Sequence, residues 1–115
     1  MSSAKIKFVY KKPDVPNVIT WPCTIAVPQD GGTFQDQELI VRYRVLDADA
    51  HQAAAKKGQQ ELLDAIVESF PDFKDENGNA VADAVARELL FKLPYVATAL
   101  IGAWMNMMAG RIPKN

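Results

Sequence analysis

The feature that most constrains this 115-residue chain is a change of period at Asp47. Before it, apolar residues alternate. Leu39, Val41, Tyr43 and Val45 point to one side, and Arg42 and Arg44 to the other. A period of two describes a strand with one buried and one wet face. After Asp47, Leu62, Leu63, Ile66, Val67 and Phe70 recur at helical spacing. The switch divides a single domain, 1–115, into a β part over 4–46 and a helical part over 47–110. The expected class is α+β: a small N-terminal antiparallel sheet built on a hairpin, followed by three C-terminal α-helices.

Within the β part, residues 5–10 partly alternate and read as a first strand. Pro13 and Pro16 end it and force an extended linker. Residues 18–27 are rich in β-branched and aromatic side chains and read as a second strand. Pro22 removes one ladder donor there, so the strand lies at an edge or Pro22 sits at a bulge. Asp30-Gly31-Gly32 is the turn, because glycine accepts positive φ without steric cost. Residues 39–46 read as the third strand.

In the helical part, Asp47 or Asp49 can cap a helix running through Ala53-Ala54-Ala55. Gly58 costs about 1 kcal/mol relative to alanine in a helix interior, and both a kink and a continuous helix fit the pattern. Phe70-Pro71 ends this helix, residues 71–80 form a polar loop, and Asp83 caps a second helix carrying Val85, Leu89 and Leu90. Pro94 suits the first turn of a third helix, and Gly110 suits its C-terminal cap.

That third helix is apolar nearly all round: Tyr95, Val96, Leu100, Ile101, Trp104, Met105, Met107 and Met108. Such a helix is buried on several sides. It is either the central core helix or a core helix that also meets a partner. Clustered methionines favour adaptable packing, and Gly102 and Ala103 permit close helix approach. Trp21, before Pro22, has the same two readings: a ring packed over the hairpin, or an interface anchor. The partner-binding candidates are therefore Trp21, Tyr95, Leu100, Trp104, Met105, Met107 and Met108. Trp104 is expected to belong to the core and the methionines to the interface.

Composition and motifs exclude several classes. The net charge is −1, with none of the basic striping of a nucleic-acid binder. The acidic excess falls in the helical part, as on ordinary solvated faces. The apolar stretch 95–110 is shorter than the roughly 20 residues of a membrane span, and residues 1–12 lack a signal-peptide apolar run. The single cysteine, Cys23, makes no internal disulfide. Asp75-x-Asn77-Gly78 resembles part of a calcium loop. Setting Gly78 at the sixth position, however, puts Phe73 and Ala84 where carboxylates belong. His51 and Cys23 lie in different elements without a third orienting group, and His51 is expected to face solvent. No metal, cofactor or catalytic activity is expected.

In order and spacing, Trp21-Pro22, Asp30-Gly31-Gly32, Tyr43-Arg44, Asp75-Glu76-Asn77-Gly78, Pro94-Tyr95-Val96 and Gly110-Arg111, with Lys114-Asn115 beyond, resemble the small tail assembly chaperones of long-tailed (siphovirus-type) bacteriophages and prophages. The likeness covers roughly residues 6–115. It lapses at 80–85, where relatives carry Pro and Phe-Ser, and at Pro71-Asp72-Phe73, which replaces a tryptophan-glycine turn. The resemblance implies a non-enzymatic protein of the host bacterial cytoplasm. It would bind the largely helical tape measure protein, shield its apolar surface while the tail tube forms, and be absent from the virion. It also implies a homo-oligomer and a longer frameshifted form that recruits tail tube protein, this chain being the short form. The alternative is a structural tail or neck protein retained in the virion as an interaction module.

Overall fold

A computed structural model describes residues 5–10, 12 and 17–113. Strands β1 (Val18–Gln29) and β2 (Thr33–Arg44) form one hairpin, in unbroken antiparallel register from Val18↔Arg44 to Gln29↔Thr33. Asp30-Gly31-Gly32 closes it, with φ of 86° and 84° at the two glycines. Only the half nearest the base is covered. Cys23, Ile25, Leu39, Val41 and Tyr43 are buried on one face, whereas residues 28–38 are all exposed. The hairpin therefore ends in a free arm.

The third strand comes from the helical part. β3 (Val67–Ser69) pairs with β2 through Arg42↔Ser69 and Tyr43↔Val67, with a register shift between them. The sheet order is β1-β2-β3, so β1 is an edge, as Pro22 requires. The strand expected over 5–10 is not formed: Ile6, Phe8, Val9 and Tyr10 are 68–90 % exposed. The free edge of β1 is a poor acceptor for such a strand. Pro22 and Pro28 share parity along β1, so both turn a donorless nitrogen outward, and an added strand loses two ladder bonds there.

The helices number four among the described residues, not three: α1 (Ala48–Lys57), α2 (Gln59–Ile66), α3 (Asp83–Leu90) and α4 (Pro94–Met108). Gly58, at φ 122° and ψ 172°, breaks the first expected helix in two, in a conformation open essentially to glycine alone. Asp47 caps α1 by accepting from the Ala50 N–H at 2.8 Å. α2 stops at Ile66 rather than Phe70, because residues 67–69 are drawn into the sheet. Asp83 is not the cap of α3; Ala82 holds that place. The Asp83 carboxylate instead accepts from the Phe70 N–H at 2.9 Å, fastening the start of α3 to the end of β3. α4 begins at Pro94 and ends as expected at Gly110, which has φ 74°. The Gly110 N–H donates to Met107 O and the Arg111 N–H to Asn106 O, which is the Schellman pattern.

α4 lies across the inner face of β1 and buries Val96, Ala97, Leu100 and Trp104 along one stripe. Leu62, Leu63 and Ile66 of α2, with Phe70, Ala86, Leu90 and Phe91, complete the core. The Trp104 indole N–H donates to Arg44 O at 2.9 Å. α1 buries no residue of its own. His51 is half-buried, not solvent-facing, because its ring meets Trp104 edge-on at 5.0 Å. α2 carries no basic residue in its last turn. Two guanidinium groups from elsewhere serve its C-terminal carbonyls. Arg44 donates to Asp64 O and Val67 O, both at 3.0 Å, and Arg87 to Val67 O at 2.8 Å. They supply the positive charge that a helix C-terminus favours.

Candidate functional site

Two adjoining apolar surfaces remain uncovered. The first is a groove of about 480 Å³ between the hairpin and the corner joining α3 to α4. Ile25, Val27 and Leu39 form its hairpin wall, and Leu90, Leu93, Tyr95 and Val96 the opposite one. Phe73 closes one side. Glu38, Asp72 and Lys74 are its charged lining residues, and Lys74 already meets Asp72 at 3.9 Å.

The loop beside the groove is held by its own backbone. The Asp75 carboxylate accepts from the Asn77 and Asn79 N–H groups at 2.9 and 3.0 Å, and Gly78 takes φ 79°. The Lys74↔Ala80 bridge and the bond from Val81 N to Phe73 O tie its ends. An Asx turn thus accounts for the segment that resembles a calcium loop. Among the described residues no group of three or more His, Cys, Asp or Glu side chains could hold a metal ion.

The second surface is the outer face of α4. Tyr95, Thr98, Gly102, Met105 and Ala109 are exposed there, and no residue of Pro94–Met108 is charged. Of the candidates named from sequence, Tyr95 joins the groove to this face, and Met105 stands on it at 51 % exposure. Met108 is exposed on its flank, and Met107 is partly buried against the core. Leu100 and Trp104 point inward, at 0 % and 2 % exposure. Trp21 is half-buried. With Pro22, Ala99, Gly102 and Ala103 it lines a smaller hollow of about 170 Å³ between β1 and α4.

The groove residues Ile25, Val27, Leu39, Phe73, Leu90 and Leu93 escape sequence reasoning. They come from four separate segments and share no motif. The one local sign is Leu93, an apolar residue left between two helices and 40 % exposed.

Cys23 and Tyr43 meet in the interior. Cys23 is fully buried, and burial pushes its thiol from 9.0 to about 11, against the opposing hydrogen bond with Tyr43. Burial, and then Cys23, push the Tyr43 hydroxyl up as well. Such a thiol stays protonated and unreactive at neutral pH. No described helix is long and apolar enough to cross a membrane. No protein-family model, characterised protein or solved structure matches the chain.

Proposed function

We propose that the protein is a non-enzymatic tail assembly chaperone. It holds the tape measure protein of a long-tailed phage in the host bacterial cytoplasm and shields its apolar surface. The observation that supports this most is the outer face of α4. A surface helix ordinarily turns charged residues to water. This one turns Tyr95, Thr98, Gly102 and Met105 outward and has no charge along its length. Gly102 lets another helix approach closely, and Met105 and Met108 adapt to varied apolar side chains. A long helical partner with repeated apolar faces is what such a surface suits.

The test is co-expression with the neighbouring tape measure protein, followed by pull-down and gel filtration. Met105→Glu and Gly102→Leu probe the face without disturbing the core, since Met105 is exposed and a Cβ at Gly102 meets nothing within 4 Å. Met105→Glu should keep the melting temperature, Gly102→Leu should keep or raise it, and each should lose the partner. Retention of the tape measure protein by both variants would reject this face. Detection of the protein in purified virions would favour a structural tail protein instead.

A further inference from the structure

We infer that the groove between the hairpin and the α3–α4 corner receives residues 5–10 of a second copy of this chain. The segment and the groove lack complementary things. In extended backbone Ile6, Phe8 and Tyr10 share one side. They are 90 %, 84 % and 68 % exposed, an unusual state for three large apolar residues in succession. The groove offers them Val27, Leu93 and Tyr95, over a floor of the buried Ile25 and Leu39.

Charge points the same way. Residues 1–12 contain Lys5, Lys7, Lys11 and Lys12 and no acid. Residues 13–41 contain Asp14, Asp30, Asp36 and Glu38 and no Lys or Arg. Glu38 lines the groove and has no ion-pair partner among the described residues. With Ile6, Phe8 and Tyr10 turned into the groove, Lys5 and Lys7 lie on the other side of the segment. Their flexible stems can bend back to Glu38 at the margin of the groove.

The segment of the same chain is the weaker occupant. A tethered segment acts at an effective concentration in the millimolar range when its linker can span to the site. Residues 5–10 are nevertheless exposed, and none of them lines the chain's own groove. A second copy has no such constraint. Phe8 and Tyr10 each remove roughly 150–250 Å² from water when buried, so two reciprocal arms, with Ile6, cover on the order of 1,000 Å², the lower end of specific interfaces.

Sedimentation velocity of the full chain over a concentration series tests the inference without any tape measure protein. Its failure is therefore separate from failure of the chaperone reading. The wild-type chain should self-associate, and more weakly as salt screens the lysines. The double variant Phe8→Asp, Tyr10→Asp changes only exposed side chains. It should melt like wild type and associate more than about tenfold more weakly. Leu93→Asp should do the same from the groove side, and it should fold because position 93 is the N-cap of α4, where aspartate is favoured. The arm variant and the groove variant, when mixed, should form heterodimers, because that pair retains one intact arm and one intact groove. A wild-type chain that stays monomeric throughout, an arm variant that associates normally, or the absence of heterodimers would each overturn the inference. So would concentration-independent amide protection of residues 5–10, which would mark the chain's own arm in its own groove.

Discussion

The hydroxyl of Tyr43, in the middle strand, donates to the carbonyl of Leu100, halfway along the last helix, at 2.8 Å. Both residues are fully buried. The carbonyl already serves the helix ladder, so the phenol uses its second lone pair and fixes how α4 sits along the sheet. Tyr43→Phe keeps the packing and removes that bond. It should destabilise the fold by about 1 kcal/mol, read as a lower urea midpoint at unchanged slope. An unchanged midpoint would mean that the bond contributes nothing.

Trp104 makes a second such contact one helical turn further along α4. It is 2 % exposed, donates to Arg44 O and carries His51 on its ring. Trp104→Ala should cost ~3–5 kcal/mol. Trp104→Phe retains a ring but loses the donor and should cost less than half as much. The pair separates packing from hydrogen bonding when melting and partner binding are measured on the same samples. A folded fraction of Trp104→Ala that binds tape measure protein normally assigns Trp104 to the core alone.

The end of α2 should depend on both guanidinium groups together. Arg87 donates to Val67 O and pairs with Asp64 at 3.2 Å, while its guanidinium carbon lies 5.0 Å from the Phe91 ring centre. Arg44 shares the Val67 carbonyl. Arg87→Ala should lose about 1–3 kcal/mol, and Arg87→Lys should recover little, because an ammonium lacks the planar fork. Since the two arginines share an acceptor, the Arg44→Ala, Arg87→Ala double variant should deviate from additivity. Strictly additive losses in a denaturation cycle would show that they act separately.

Alkali should unfold the protein through Cys23. Below pH 9 the thiol is neutral in both states. Between pH 9 and about 11 the unfolded chain ionises while the buried thiol does not, so stability falls as pH rises. At about 1.4 kcal/mol per pH unit, the fall from this group approaches 2–3 kcal/mol. Tyr43, also raised by burial, adds to the fall above its ordinary 10.0. Cys23→Ala should flatten the decline between pH 9 and 10 in denaturant titrations. An equal slope in that variant would place the effect elsewhere.

The base of the hairpin was legible in the sequence because its determinants are local, whereas the strand expected over 39–46 in fact begins at Thr33 and stops at Arg44, leaving Val45 and Leu46 outside it. Leu39, Val41 and Tyr43 alternate, Asp30-Gly31-Gly32 turns, and Pro22 marks the edge. β3 was not legible. Val67 and Phe70 continue the helical spacing of Leu62, Leu63 and Ile66, and only the exposed flank of β2 converts residues 67–69 to a strand. The opposite error arose over residues 5–10, where alternation is present but no edge accepts it. Asp83 looked like a helix cap because Asp suits that place, yet a tertiary partner, the Phe70 N–H, claims its carboxylate. At the candidate site, the apolar character of α4 was evident, but which side faces outward depends on where β1 lies. The groove was invisible because it exists only after four distant segments meet.

The seam between β2 and α4 also sets the order of events as the chain is made. Tyr43 waits for Leu100, and the Arg44 carbonyl for Trp104, across 57 and 60 residues of sequence. Contacts so far apart close late, because loop closure precedes any reward. A nascent hairpin can pair its strands early, yet Cys23, Ile25, Leu39 and Val41 stay wet until α4 has been synthesised. Chains halted before Pro94 therefore carry a naked sheet face and should aggregate, so the last helix acts as the checkpoint between a sticky nascent chain and a finished protein.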